Sequence, residues 1–400
     1  MRSFSVLNRR AGAVVAAVTA AVALTGTVAV AATASPSASN AGSNAASGPD
    51  HVFVIMMENH GRDQIIGNTA DAPYITSLAE RYNTDSNYHG VTHPSLTNYL
   101  AAISGDFQGI WDDCKAGTTV KCAPEEFIPG PGEDQLGAFL TPAQVASSTA
   151  TPHMFSGRTI VDQLEESGKT WKAYMENLPQ AGSNVEFAPV VQGKTVKLYA
   201  QKHNPFMYFS DIVNSPERLQ KIVPLENNLA NDLKTGSVPD FVWVSPNQCH
   251  DMHGISPSSA ALIGEPQCGY PASGLDHGAI QMGDAYVKQQ VSQIMDSETW
   301  KTTKSSIVLV WDENDYSGSS GGPGSPVGVS TPNGTTPAVL GGGDAPFIVI
   351  NSAEGPHKTS GKLADHYTML STIQHMWHLG CLANTCSPTT SGTFEELFRP

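Results

Sequence analysis

The chain has 400 residues, 40% hydrophobic and 15% charged, with 37 acidic against 22 basic residues and a formal net charge of −15. A surface of that sign repels nucleic acid and anionic membranes, and an anionic small molecule would need a local cation to bind. Three of the basic residues, Arg2, Arg9 and Arg10, lie at the N-terminus, so the remainder is more acidic still.

Those arginines precede an Ala/Val-rich stretch, and Ala29 and Ala31 fit an A-x-A cleavage site. Residues 1–31 therefore read as a secretory signal peptide, 32–49 as a flexible exported tail, and 50–400 as one domain. A membrane anchor is the alternative, but Thr and Gly dilute the apolar run, and no stable membrane association is expected after cleavage. Arg9-Arg10 matches a twin-arginine signal only in part, which favours the general secretory route. In an exported chain, six cysteines suggest three disulfides, and proximity alone pairs Cys114 with Cys122, Cys249 with Cys268, and Cys381 with Cys386. No C-x-x-C spacing supports a Cys-ligated metal instead.

Five β-rich apolar runs follow in order: 51–57, 170–175, 240–245, 306–311 and 345–350. Continuous apolar character predicts strands covered on both faces. Helical patterns separate them at Ser95–Ser104, Thr159–Glu166, Leu225–Leu233, Gly278–Met295 and Tyr367–Leu379. The alternation predicts an α/β fold, a mostly parallel central sheet flanked by helices. Residues 317–344 read as a low-complexity loop, either flanking a site or a tolerated insertion.

Three of the strands end in polar clusters: Glu58-Asn59, the run Asn247 to His253, and Asp312-Glu313. One such cluster alone is usually a surface loop end. In a parallel sheet, three of them meet in one crevice at the carboxyl edge, where ligands bind. Glu58, Asn59, Asp312 and Glu313 offer oxygen donors suited to Mg²⁺, Mn²⁺ or Ca²⁺. Asp251, His253 and His366 would extend the set, the two imidazole nitrogens shifting it towards Zn²⁺. The stretch "THPSLTNYLAAISGD" puts Pro94 and Ser95 at a helix start, with Asn98 on the same face as Ser95. A serine there is either an activated nucleophile beside an anion site or a plain helix cap, a role Thr92 could also fill.

Six motifs in order carry a family resemblance: "MMENH", "THPSLTNYLAAISGD", "KHNPFMYF", "SPNQCHDMHG", "VWDEND" and "DHYTMLSTIQHMWHL". Together, from about His51 to Leu379, they resemble the secreted phosphoesterase family of bacterial acid phosphatases and phospholipases C, within the alkaline phosphatase superfamily. The resemblance implies an alkaline-phosphatase-like sandwich. It makes Glu58 and Asn59 the first metal-ligand pair, and Asp312 and Glu313 the second. Ser95 becomes the nucleophile; Asn98 would hold a phosphoryl oxygen, and His203 and His253 would line the phosphate pocket. His253 would protonate the leaving group, while for His203 a purely structural role is equally open. Thr97 departs from the usual Pro, and Thr92, the rival nucleophile, has the wrong spacing to Asn98. The implied activity is a secreted, metal-dependent acid phosphatase hydrolysing small phosphomonoesters through a phosphoserine. Phospholipase C or another phosphodiesterase is the nearest alternative, and a non-catalytic exported metal-binding protein is the alternative of another class.

Overall fold

A computed structural model describes residues 48–119, 150–315, 328–331, 334–339, 341–353, 355–387 and 392–399. The expected signal peptide, the first sixteen residues of the tail and Cys122 lie outside these, so the 114–122 pairing does too. The strands are β1 (His51–Met57), β2 (Asn83–Asp85), β3 (Trp171–Met175), β4 (Phe187–Val191), β5 (Lys194–Ala200), β6 (Ile222–Pro224), β7 (Phe241–Ser245), β8 (Ser305–Trp311), β9 (Gly328–Thr331), β10 (Gly334–Val339), β11 (Phe347–Asn351) and β12 (Thr359–Ser360). Eight of them build one sheet in the order β12-β2-β11-β8-β1-β7-β3-β6. From β8 to β6 every pairing is parallel; β11 runs antiparallel to β8 and β2. The fold is α/β with a mostly parallel sheet, and the five expected strands stand within two residues of their sequence positions.

Every residue of β7 and β8, and all of β1 after His51, is buried. Such strands need cover on both faces, and unbroken runs such as Val52 to Met57 supply apolar side chains in both directions. The longer helices are α1 (Pro73–Arg81), α2 (Ser95–Ser104), α3 (Ile160–Glu166), α4 (Asn228–Thr235), α5 (His277–Asp296) and α6 (His366–Met376). α1 packs with α5, whereas α2 packs with α6 and α3. Gly105 closes α2 in the left-handed conformation (φ 72°), its N–H returning to the Ala101 carbonyl, the stop for which glycine is favoured. Asp365 caps α6 by accepting the Thr368 N–H.

The 317–344 stretch differs from its expectation where it is described. β9 and β10 pair antiparallel, apart from the large sheet. Beyond them Gly342 N–H donates to the Gly90 carbonyl and Gly90 N–H to the Gly343 carbonyl. A Cβ on Gly342 would lie 2.5 Å from Gly90 Cα, so only glycine permits this approach. It fastens the loop before α2 to the segment that leads into β11. Disulfides join Cys249 to Cys268 and Cys381 to Cys386. Among the described residues, no helix is long and apolar enough to cross a membrane.

Candidate active site

Parallel pairing of β1 with both β7 and β8 sets three polar strand ends side by side, and backbone bonds lock them. Asp312 N–H donates to the Met57 carbonyl at 3.0 Å, and Glu58 N–H to the Asp251 carbonyl at 2.8 Å. Asn59 takes φ 55°, a left-handed geometry that Asn tolerates. Its N–H there donates to Asp312 Oδ1 at 3.2 Å. Glu58, Asp251, Asp312 and Glu313 are all fully buried.

Ser95 is the first residue of α2. Its hydroxyl donates to Glu58 Oε2 at 2.9 Å, and Lys202 Nζ lies 3.4 Å from its oxygen. Thr92, the rival, sends its hydroxyl to the His93 carbonyl. Asn98 acts as a brace: its Oδ1 accepts from the N–H of Val91 and Thr92, while its amide donates to the Thr92 carbonyl and to Glu313 Oε2. Holding a phosphoryl oxygen would draw the Asn98 amide away from one of those two acceptors. His93 Nδ1 also reaches Glu313 Oε2, at 3.1 Å.

His203 stands between two carboxylates, with Nε2 3.0 Å from Glu58 Oε1 and Nδ1 3.1 Å from Asp251 Oδ2. Its ring stacks on Tyr99 at 5.1 Å, and its carbonyl accepts from Ser245 Oγ at the end of β7. His253 turns Nε2 to Lys202 Nζ at 3.1 Å and Nδ1 to the Gly254 carbonyl at 2.9 Å. An ammonium can only donate, so Nε2 is the acceptor. The family resemblance implies His253 as the proton donor to the leaving group. Burial first, then the Lys202 charge, hold it well below the usual imidazole range, and this arrangement gives Nε2 no proton to donate. His366 differs again: Nε2 contacts the Asp312 carbonyl at 2.6 Å and Nδ1 the Tyr88 hydroxyl at 2.7 Å. Both ring nitrogens are thus engaged, and His366 positions the backbone of a candidate ligand.

Electrostatics set this corner apart. Burial pushes Glu58 up to about 7, against the opposing pull of Lys202 and Ser95. Burial, reinforced by the Glu58 charge, raises Asp251 and Asp312 well above the carboxylate range. Asp312 Oδ2 is buried with no hydrogen-bond donor. Several carboxylates cannot ionise together in so small a buried volume without a cation. Glu58, His203 and His253 bring ligand atoms within 4.8 Å of one another, and the mixed oxygen and nitrogen donors are of the type divalent ions take.

Lys202, Asp113 and Tyr99 were not foreseen from the sequence. Lys202 had a signal, since it is one of few basic residues and adjoins His203 in "KHNPF". Asp113 had none: 18 residues beyond Ser95, it returns to accept the Leu96 N–H at 3.0 Å.

The Phosphoesterase family model matches residues 68–264, a span that holds Ser95, Asn98, His203, Asp251 and His253. The chain is 26% identical over 332 residues to a probable acid phosphatase of Kluyveromyces lactis, covering 82% of this chain and 59% of that one. A phosphatidylinositol-3-phosphatase of Mycobacterium tuberculosis is 27% identical over 268 residues, covering 67% and 64% respectively. The chain thus spans about three fifths of the length of these relatives. Among solved structures it is similar to a protein in the alkaline phosphatase superfamily from Vibrio parahaemolyticus, with 12% identity and TM-score 0.44 over 86% of this chain and 72% of that one.

Proposed function

We propose that this protein is an exported acid phosphatase that hydrolyses small phosphomonoesters with Ser95 as nucleophile. The observation that carries the reading is the Ser95 hydroxyl, buried at a helix start and donating to the buried Glu58 carboxylate at 2.9 Å. A cap would turn its oxygen to the N–H groups of its own helix. Both relatives described above are named phosphatases, which favours monoesters over the phospholipase C alternative.

Glu58, Asn59, Asp312 and Glu313 would hold a divalent cation, with Asp251 close by through His203. Such an ion would lower the pKa of the serine hydroxyl and offset charge on the phosphoryl oxygens. Of the protein's own groups, Ser95 Oγ forms the new bond to phosphorus while the bond to the ester oxygen breaks, and that oxygen leaves with the electron pair. Glu58 Oε2 is the acceptor at hand for the Ser95 proton. Water then attacks the phosphoserine, and Ser95 Oγ recovers its proton as phosphate departs. Asn98 keeps the helix start aligned with Glu313, and His366 fixes the Asp312 backbone. The two disulfides support export.

The test compares p-nitrophenyl phosphate, its bis-ester and a phosphatidylcholine, with and without chelator. Chelator-sensitive turnover of the monoester is expected, with phosphate trapped on the Ser95 peptide after acid quench. Ser95→Ala should lose several orders of magnitude in rate and stay folded. An active Ser95→Ala protein would overturn the reading.

A further inference from the structure

Lys202 is the group that the proposed reaction leaves unused. It follows the β4–β5 hairpin in a single helical turn (Gln201–His203), and its side chain is only 11% exposed. Its ammonium meets three groups at once: Asp113 Oδ2 at 2.8 Å, His253 Nε2 at 3.1 Å and Ser95 Oγ at 3.4 Å. Resting on the phosphatase reading above, we infer that Lys202 is the specificity-determining cation of the site: it binds the second negative charge of a phosphomonoester as the phosphoryl group reaches Ser95.

The geometry argues this against a purely structural ion pair. If Lys202 served only to pair with Asp113, its ammonium would have no need to stand beside Ser95. Asp113, 8% exposed, is itself tied to the Leu96 N–H through its other oxygen, so the pair is anchored to the first turn of the helix that bears Ser95. His253 supplies the neutral lone pair that completes the hold, with its own N–H on the Gly254 carbonyl. The ammonium is therefore aimed before any substrate arrives. Its charge lies on the Ser95 oxygen, not opposite it. In-line displacement puts the leaving group on the far side of phosphorus, so Lys202 can reach the phosphoryl oxygens and the serine oxygen but not the departing alkoxide. A monoester carries up to two charges on those oxygens and a diester one. A fixed cation in a dry site rewards the additional charge strongly.

The experiment measures kcat/KM for p-nitrophenyl phosphate and for bis(p-nitrophenyl) phosphate in the wild type, Lys202→Met and Lys202→Arg. Lys202→Met should lose about 10²- to 10³-fold on the monoester, the usual cost of a fixed electrostatic partner, and less than about tenfold on the diester. Lys202→Arg keeps the charge and should hold the monoester-to-diester ratio within about tenfold of the wild type even where absolute rates fall. Calorimetry with inorganic phosphate in the Ser95→Ala background supplies a readout that needs no turnover. Adding Lys202→Met there should weaken phosphate at least about tenfold, the size of one charge-assisted hydrogen bond. Equal losses on both esters, or phosphate affinity unchanged by Lys202→Met, would overturn the inference while leaving Ser95 in place. Full activity of Ser95→Ala would instead remove the reading on which it rests. If Lys202→Met does not fold, Lys202→Gln is measured in its place, and a monoester-to-diester ratio unchanged from wild type there decides against the proposal while its collapse decides for it.

Discussion

Among the described residues, two groups bring three side chains of metal-binding type within 4.8 Å: Glu58 with His203 and His253, and Asp112 with Cys114 and His153. By residue type they are near equivalents, yet their chemistry differs. In the second, Cys114 is disulfide-bonded. Asp112 Oδ1 accepts both His153 Nε2 and the Cys114 N–H, so the donors answer one another and close the loop that follows α2. The first group lies at strand ends beside Asp251, Asp312 and Glu313, where carboxylates outnumber the cations and burial drives them up. Ligand-type residues in proximity do not define a site. Charge left unbalanced at a fixed address in the sheet does.

Breaking each group should separate them. The largest effect is expected from Asp312→Ala, which should remove bound metal, read by elemental analysis, and lower monoesterase activity by more than about 10²-fold. Asp112→Asn should leave metal content and kcat/KM within a few-fold of the wild type. It should cost about 1–3 kcal/mol in denaturant unfolding, because His153 would lose the partner it is buried against. Loss of metal from Asp112→Asn, or retention of metal and activity in Asp312→Ala, would reverse the roles assigned here.

The disulfides sharpen the contrast at intermediate size. Cys249–Cys268 spans 19 residues and Cys381–Cys386 spans 5. Loop-closure entropy gives them about 3 and about 2 kcal/mol respectively. Only the first closes over the segment that carries Asp251 and His253. The variant Cys249→Ser/Cys268→Ser should therefore lose activity as well as stability, whereas Cys381→Ser/Cys386→Ser should lose stability alone. Thermal melts and kcat/KM on the two variants check this, and equal activity in both would detach the first link from the site.

Strand composition made the sheet legible: runs such as Val52 to Met57 can only be buried on both faces, and polar residues at their carboxyl ends mark the ligand edge. The helix over Ser95–Ser104 was likewise legible from Pro94 and Gly105. Geometry that arises between distant segments was not. Nothing in the sequence shows that Asn98 spends its amide on Thr92 and Glu313, or that His366 turns both nitrogens inward. The orientation of His253 was not legible for the same reason. Its proton is set by Lys202, 51 residues away in sequence, and a single motif carries no sign of that neighbour. Asp113 reaches α2 from a loop, where spacing carries no periodic signal.

A third kind of carboxylate completes the comparison and carries the smallest effect. Glu165, at the end of α3, is answered by cations: Lys221 at 2.7 Å and Arg218 at 2.8 Å, with the Trp171 ring N–H at 2.9 Å. Burial alone would raise it, but these partners hold it down to about 2, from an ordinary value of 4.5. A carboxylate depressed in this way binds its proton more weakly folded than unfolded. Its stabilisation is therefore complete above about pH 4.5 and disappears as pH falls from there towards 2. Glu165→Gln should lower stability at neutral pH by about 1 kcal/mol, since the group is partly exposed and screened, and the difference from wild type should vanish near pH 2. Denaturant midpoints at pH 7, 4.5 and 2.5 in low salt measure it. The difference should also shrink in 1 M salt, because the pair is open to ions. A gap that persists undiminished at pH 2.5 would mean that Glu165 contributes through packing of its side chain and not through its charge.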